Sequence, residues 1–281
     1  MSTPGAGYEY PPVAFIGGGN MAAALIGGLR AHGWPASQIN VAERDADRRD
    51  WLTRELGVNA RADAATAIDG AAATVLAVKP QQMAAAVDGL RFSAGSLVLS
   101  IAAGIRLDSL RDWLGADLAL VRSMPNTPAL AGAGATALYT PPSTSTAARQ
   151  LAQRLVDSVG ISCWVEREDL LDAVTALSGS GPAYFLLLTE AMATAGAALG
   201  LTRDTATTLA RQTLIGSGRL LEADAADVAT LRARVTSKGG TTEAALASLE
   251  NAGLRAIVHN ALSAAARRSL ELGATASGPA R

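Results

Sequence analysis

A single cysteine, Cys163, stands in 281 residues, which excludes an intrachain disulfide framework and a thiolate metal cluster. Histidine is almost as scarce: His32 and His259 are the only two, far apart in sequence, so a His-rich metal site is not expected. Aromatic residues make up 4% of the chain, which leaves core packing to aliphatic side chains. Neither sign of charge dominates, with 24 Lys+Arg against 25 Asp+Glu and a formal net charge of −1. That balance argues against a nucleic-acid or anionic-lipid partner. Lysine is nearly missing, and Lys79 and Lys238 stand out in a basic set that is otherwise arginine. Residues 1–12 lack the basic-then-apolar order of a signal peptide and are expected to be a disordered tail. The nearest approach to a membrane span, Ala183–Leu199, is interrupted by Thr189 and Glu190 and is short for a bilayer core. These absences predict a soluble, cytoplasmic protein with no metal, nucleic-acid or membrane partner. Cys163 is expected to be a small buried hydrophobe near a domain boundary.

Alanine dominates the 49% hydrophobic fraction, and a core of Ala, Leu and Val favours closely packed helices. Strand-like apolar runs occur at Val13–Ile16, Ile39–Ala42, Thr74–Val78, Leu97–Ile101 and Leu118–Val121. Helical stretches lie between them at Met21–Ala31, Ala46–Leu56, Gln81–Leu90 and Leu107–Leu114. This alternation predicts right-handed βαβ units and a doubly wound parallel sheet covered on both faces. Two more strand candidates, Ala135–Tyr139 and Ile161–Val165, flank a helix near residues 147–159 and would extend the sheet edge. Beyond Glu166 the pattern turns almost wholly helical. The expected organisation is α/β then all-α: a dinucleotide-binding domain at 13–165, a helical domain at 166–273 and a frayed tail at 274–281. In the helical part, Gly196 and Gly200 have the spacing that lets two helix backbones approach closely.

Directly after the first strand candidate stands Gly17-Gly18-Gly19-Asn20-Met21-Ala22, which fits G-x-G-x-x-[G/A]. In that pattern the first glycine makes the tight turn and the second lets backbone N–H groups approach a pyrophosphate. The small third residue lets the helix pack on the strand, and the helix N-terminus carries partial positive charge. A strand–turn–helix at the head of a βαβ series is the context that makes this a dinucleotide site. The 2′ group of such a cofactor is read at the end of the second strand, by an acidic residue for a ribose diol or by arginine for a phosphate. Glu43 and Arg44 are adjacent there, so the residues lean to NADPH through Arg44 and leave NADH open through Glu43.

Farther along, Ser237-Lys238-Gly239-Gly240-Thr241-Thr242 precedes a helical stretch. A Gly-Gly pair between hydroxyl residues can turn several N–H groups into one concavity and bind a small anion. An ordinary Ser/Thr-capped helix start has the same appearance. Asn126, between Pro125 and Pro128, could orient a ligand or form an Asx turn.

Six segments together carry a resemblance. They are Phe15–Ala22, Ala77-Val78-Lys79-Pro80, Ser100–Ile105, Arg122-Ser123-Met124-Pro125-Asn126-Thr127-Pro128, Leu177–Tyr184 and Val235–Thr242. With them the chain resembles the pyrroline-5-carboxylate reductase family from about Val13 to Arg268. The resemblance implies a Rossmann-like domain followed by a helical dimerisation domain. It also implies hydride transfer from NAD(P)H to the C=N bond of 1-pyrroline-5-carboxylate, giving proline, without a metal. Gly17, Gly19, Asn20, Met21, Ala22, Glu43 and Arg44 would bind the cofactor, with Ala77, Val78 and Lys79 against its nicotinamide half. Ser237, Gly239, Gly240, Thr241 and Asn126 would bind the substrate, and the Thr242 hydroxyl would meet its ring nitrogen. A homodimer through the C-terminal helices is expected, which in this family can assemble into rings. A β-hydroxyacid-type dehydrogenase is disfavoured, because Pro182–Gly200 lacks the lysine such enzymes carry there. A reductase of another cyclic imine and a non-catalytic dinucleotide-binding regulator remain open.

Overall fold

The computed structural model describes residues 10–115 and 117–276. Its contacts divide the described residues into two compact units, one holding those up to Gly179 and those from Ala265 on, the other Ser180–Ala264. The sequence-derived boundary at 165/166 falls earlier, because the short helix after it packs on the sheet. The expected tails lie largely outside the described residues. Of their described parts, Pro11 and Pro12 accept hydrogen bonds from Trp34 Nε1 and from the Ala72 N–H, and the last helix continues to Ala276.

The first unit is an eight-stranded sheet: β1 (Val13–Ile16), β2 (Ile39–Ala42), β3 (Asn59–Arg61), β4 (Ala73–Leu76), β5 (Leu97–Ser100), β6 (Ala119–Met124), β7 (Gly134–Tyr139) and β8 (Gly160–Trp164). Their order across the sheet is β3-β2-β1-β4-β5-β6-β7-β8. Every pairing is parallel except β6 with β7. That exception modifies the expected all-parallel sheet. The link between those strands holds only the short 3₁₀ turn Thr127–Ala131, too short for the crossover a parallel neighbour needs. Around the sheet run α1 (Asn20–Ala31), α2 (Ala46–Leu56), α3 (Ala64–Ile68), α4 (Met83–Val87), α5 (Leu107–Leu114), α6 (Thr146–Asp157) and α7 (Leu170–Val174).

Strand periodicity sorts the core into two layers. Val13 and Phe15 of β1 join Leu25, Leu29 and Val156 in one apolar cluster, while Ala14 and Ile16 join Ile68, Met83 and Leu110 in another. β1 is buried along its whole length, as a central strand covered by helices on both faces should be. Cys163 departs from expectation. It lies on β8, which pairs only with β7, and it is exposed, as is Ile161 two residues before it.

The second unit holds α8 (Gly181–Ala198), α9 (Arg203–Ala223), α10 (Val228–Arg234), α11 (Thr241–Asn251) and the first part of α12 (Leu254–Ala276). A five-residue π turn, Thr175–Gly179, leads into α8. α8 packs along α9, and Gly196 is where they come close: a Cβ built there would lie 3.4 Å from that of Ala206. Gly200 follows the end of α8 and takes no part in that approach. By length and composition alone, the run Leu170–Ala198 could cross a membrane.

Candidate active site

β1 and β4 are sheet neighbours whose connections depart to opposite sides, and ligands of open α/β sheets bind outside the carboxyl ends of such strands. A cleft of about 440 Å³ lies there. Gly17, Gly19, Glu43 and Arg44 line one side, and Ala77, Val78 and Lys79 another. The structure thus brings seven of the ten expected cofactor residues to one concavity. The other three, Asn20, Met21 and Ala22, form the first turn of α1, with Ala22 buried against the strand layer. Ala62, Ala64, Ala85 and Ala86 also line the cleft, short side chains that leave a slot between the chain segments.

The turn is shaped by contacts made close to the backbone. Gly17 has φ +98°, and a Cβ there would lie 2.8 Å from the Ala77 carbonyl oxygen. Its N–H donates to Ala42 O at 2.8 Å, and Ala77 N–H donates to Ile16 O at 2.8 Å. Gly19 is exposed, and a Cβ built on it would have no neighbour within 4 Å among the described residues. No side chain caps α1, which begins after Gly19. Its first N–H groups have no intrahelical acceptor, and with the helix dipole they attract an anion. Open space beside a bare helix N-terminus is what a pyrophosphate requires, so these residues fit a dinucleotide.

The sequence pattern passed over Gly18 and Arg48. Gly18 is buried and held on both sides: its N–H donates to Glu43 Oε2 at 2.8 Å, and its carbonyl accepts from Arg48 Nε at 2.6 Å. The only sequence signal was the proximity of Glu43 and Arg48 to the strand end. Arg44 is exposed and its side chain has no partner among the described residues.

In the second unit the Ser237–Thr242 loop begins α11. Gly240 N–H donates to Ser237 O at 3.0 Å, and Gly239 N–H donates to Glu243 Oε2 at 2.6 Å. A Cβ at Gly240 would lie 2.4 Å from Ser237 Oγ, so the loop closes tightly on itself. No side chain caps α11; Thr241 is exposed and Thr242 half-buried. Asn126 is buried in the first unit, where Oδ1 accepts from Ala135 N–H at 2.9 Å and Nδ2 donates to Ser178 O at 3.1 Å. Among the described residues no three His, Cys, Asp or Glu side chains are grouped to hold a metal ion.

Residues 168–272 match the family model described as pyrroline-5-carboxylate reductase dimerisation, and residues 12–104 match one described as NADP oxidoreductase, coenzyme F420-dependent. A pyrroline-5-carboxylate reductase of Pseudomonas aeruginosa is 47% identical over 264 residues, covering 93% of this chain and 97% of that protein. The solved structure of a pyrroline-5-carboxylate reductase from Coxiella burnetii has a TM-score of 0.90 at 39% identity, covering 94% of this chain and 99% of that one. A Plasmodium falciparum pyrroline carboxylate reductase solved with NADP bound has a TM-score of 0.79 at 26% identity, covering 95% and 100%. The matched ranges include both the glycine turn and the Ser237–Thr242 loop, and the chain belongs to the pyrroline-5-carboxylate reductase family.

Proposed function

We propose that the chain reduces the C=N bond of 1-pyrroline-5-carboxylate to L-proline, the last step of proline biosynthesis, with NADPH preferred and NADH as a poorer substitute. The observation that carries this reading is the 47% identity to a reductase of that name along nearly the whole chain. When bound, the nicotinamide cofactor supplies a hydride to the imine carbon. A protonated cyclic imine already accepts hydride, so the protein's part is to position the reactants and exclude water.

Gly19, Asn20, Met21 and Ala22 hold the pyrophosphate on the bare start of α1. Arg44 meets a 2′-phosphate, and Ala77, Val78 and Lys79 lie along the nicotinamide half, with Lys79 adding positive potential. In the helical unit Ser237, Gly239, Gly240 and Thr241 form the loop that holds the substrate carboxylate. The Gly239 and Gly240 N–H groups are engaged by Glu243 and Ser237, so the donors are the Ser237 and Thr241 hydroxyls and the uncapped first amides of α11. The Thr242 hydroxyl hydrogen-bonds the ring nitrogen and orients it. Asn126 is a further substrate-binding residue: its carboxamide is oriented by two hydrogen bonds within the first unit and keeps one N–H to donate. The chain works as a cytoplasmic homodimer through its C-terminal helices, the level from which rings of dimers would be built.

The test is oxidation of NADPH and of NADH by purified protein, with 1-pyrroline-5-carboxylate and with its six-membered homologue. Rapid oxidation with the five-membered ring supports the proposal. Oxidation with the larger ring alone would reassign the substrate, and binding of NADPH without turnover on either would favour a regulator. Thr242→Ala is expected to cost about 1–3 kcal/mol of transition-state stabilisation while leaving the NADPH dissociation constant nearly in place. Equal losses in both would remove Thr242 from its role.

A further inference from the structure

An acidic residue at the end of the second strand of a dinucleotide fold is ordinarily read as the acceptor for the cofactor's ribose hydroxyls. Glu43 occupies that position, but its carboxylate is engaged elsewhere. Oε2 accepts from the Gly18 N–H at 2.8 Å, and Oε1 accepts from the Asp45 N–H at 3.0 Å. Presenting both oxygens to a ribose diol would mean giving up one or both of these bonds. On the other side of the same glycine, Arg48 Nε donates to the Gly18 carbonyl at 2.6 Å. The Arg48 guanidinium lies 4.2 Å over the ring of Trp51, and its Nη2 is buried without a partner. Its own N–H is fixed on Asp45 Oδ1 at 2.7 Å.

We propose that Glu43 and Arg48 are positioning residues that clamp the Gly18 backbone between a carboxylate and a guanidinium, and that Glu43 takes no part in reading the ribose. The clamp acts on the phosphate-binding amides through peptide geometry. The peptide from Gly18 to Gly19 is trans, so its C=O and N–H point in opposite directions. Holding the carbonyl on Arg48 directs the Gly19 N–H away from α2. The cleft fits this division of labour, because Gly17 and Gly19 line it and Gly18 does not. Gly18 is glycine because Leu52 leaves it no room: a Cβ would lie 2.5 Å from Leu52 Cδ1. Arg49 completes the frame, with Nη1 donating to the Glu43 carbonyl at 2.9 Å and to the Arg44 carbonyl at 2.7 Å. Arg44 is then the side chain of this turn left to distinguish a 2′-phosphate from a free hydroxyl.

This inference rests on the proposal that the cleft holds a nicotinamide dinucleotide, and its test separates the two. ADP-ribose and 2′-phospho-ADP-ribose are titrated calorimetrically into the full chain and into Glu43→Gln, Glu43→Ala, Arg48→Met, Arg48→Lys and Arg44→Ala. A clamp weakens both probes in parallel: the Glu43 variants and Arg48→Met are expected to lose roughly 5- to 30-fold in each, from one charge-assisted hydrogen bond. The ratio between probes should stay within about twofold, and Arg48→Lys should recover part of the loss. In turnover the loss should fall on the KM for NADPH more than on kcat. Arg44→Ala is expected to weaken only the phosphorylated probe, by about tenfold. A Glu43 variant that weakens ADP-ribose alone, shifts the ratio more than about fivefold, or changes neither affinity would overturn the clamp. If Glu43 variants fail to fold, the Arg48 pair reads the other jaw, and unchanged affinities there would overturn it equally. Failure of the parent chain to bind either probe would instead remove the dinucleotide reading itself.

Discussion

At the scale of single residues, three neighbouring glycines answer to three different constraints. Gly17 is required by its backbone conformation and by the Ala77 carbonyl, Gly18 by Leu52, and Gly19 by nothing among the described residues. If a pyrophosphate fills the space beside Gly19, the constraint there comes from the ligand. Gly19→Ala should then fold, at a cost of about 1 kcal/mol or less, yet weaken NADPH at least about tenfold. Gly17→Ala should lose about 1–3 kcal/mol of stability before any ligand is added. Thermal unfolding beside a fluorescence titration of NADPH separates the two, and a Gly19 variant that binds normally would contradict the assignment. The sequence spacing distinguished Gly17, Gly19 and Ala22, because tight turns and helix packing act on local neighbours. It was silent on Gly18, whose constraint comes from a leucine 34 positions on, and it marked Arg48 only as a basic residue one turn past the strand end, because its partner is a backbone carbonyl.

At the scale of elements, Glu168 joins three parts of the first unit. Its Oε1 accepts from Arg122 Nη1 of β6 at 2.7 Å and from the Leu107 N–H at the start of α5 at 2.8 Å. The Arg122 side chain is 6% exposed, so removing its partner strands a buried charge. Glu168→Ala is expected to cost about 3–5 kcal/mol, read as a lowered urea midpoint. Glu168→Gln keeps the acceptor and should cost less. An alanine variant within about 1 kcal/mol of the parent would deny the pair its role. Helix caps add a pH dependence. The Thr66 hydroxyl, and then the Thr66 N–H, hold the Asp63 carboxyl below its ordinary value of 3.8 at the start of α3. Asp227 is held low in the same way by Thr230 at the start of α10. A carboxyl with a depressed folded pKa stabilises fully above its unfolded value and loses that contribution as pH falls through the folded one. The protection factors of the α3 amides, which are exchange rates taken relative to the intrinsic rate at each pH, should therefore fall as pH drops below about 4, and Asp63→Asn should flatten that dependence. Much at this scale was legible: β1, β2, α2 and α5 begin and end where apolar runs and helical stretches place them. β3 was not, since Asn59–Arg61 is three residues on a sheet edge with no buried run to mark it. The predicted helix Gln81–Leu90 shortens to a 3₁₀ turn and α4, with Asp88 and Gly89 beyond its end. The reversal of β7 was hidden because strand direction leaves no trace in periodicity.

At the scale of the whole molecule, the question is what covers α8. Phe185, Leu186, Leu187 and Leu188 are consecutive and each more than half exposed, so they point to all sides of the helix. A soluble amphipathic helix buries one stripe and wets the other, whereas a helix apolar all round is buried. Within the described unit only Gly181 and Thr189 of α8 are buried. This helix also holds most of the one run among the described residues that is long and apolar enough to cross a bilayer, so lipid and a second protein chain are the two coverings to separate. The matched dimerisation model spans these residues, and a second copy would bury the leucines at about 1.5–3 kcal/mol each. We therefore expect a dimer or a multiple of it in sedimentation equilibrium without detergent. The double substitution Leu186→Glu with Leu187→Glu places a charge on two sides of α8, and burying either at an interface costs several kcal/mol in each protomer. The variant should sediment as a monomer and lose turnover. It should keep NADPH binding, because the cleft at the carboxyl ends of β1 and β4 is built from the first unit alone. Loss of NADPH binding together with dimerisation would show that the cofactor site needs the partner. A parent chain that turns over fully as a monomer, or that leaves solution unless detergent is present, would contradict a protein interface on α8.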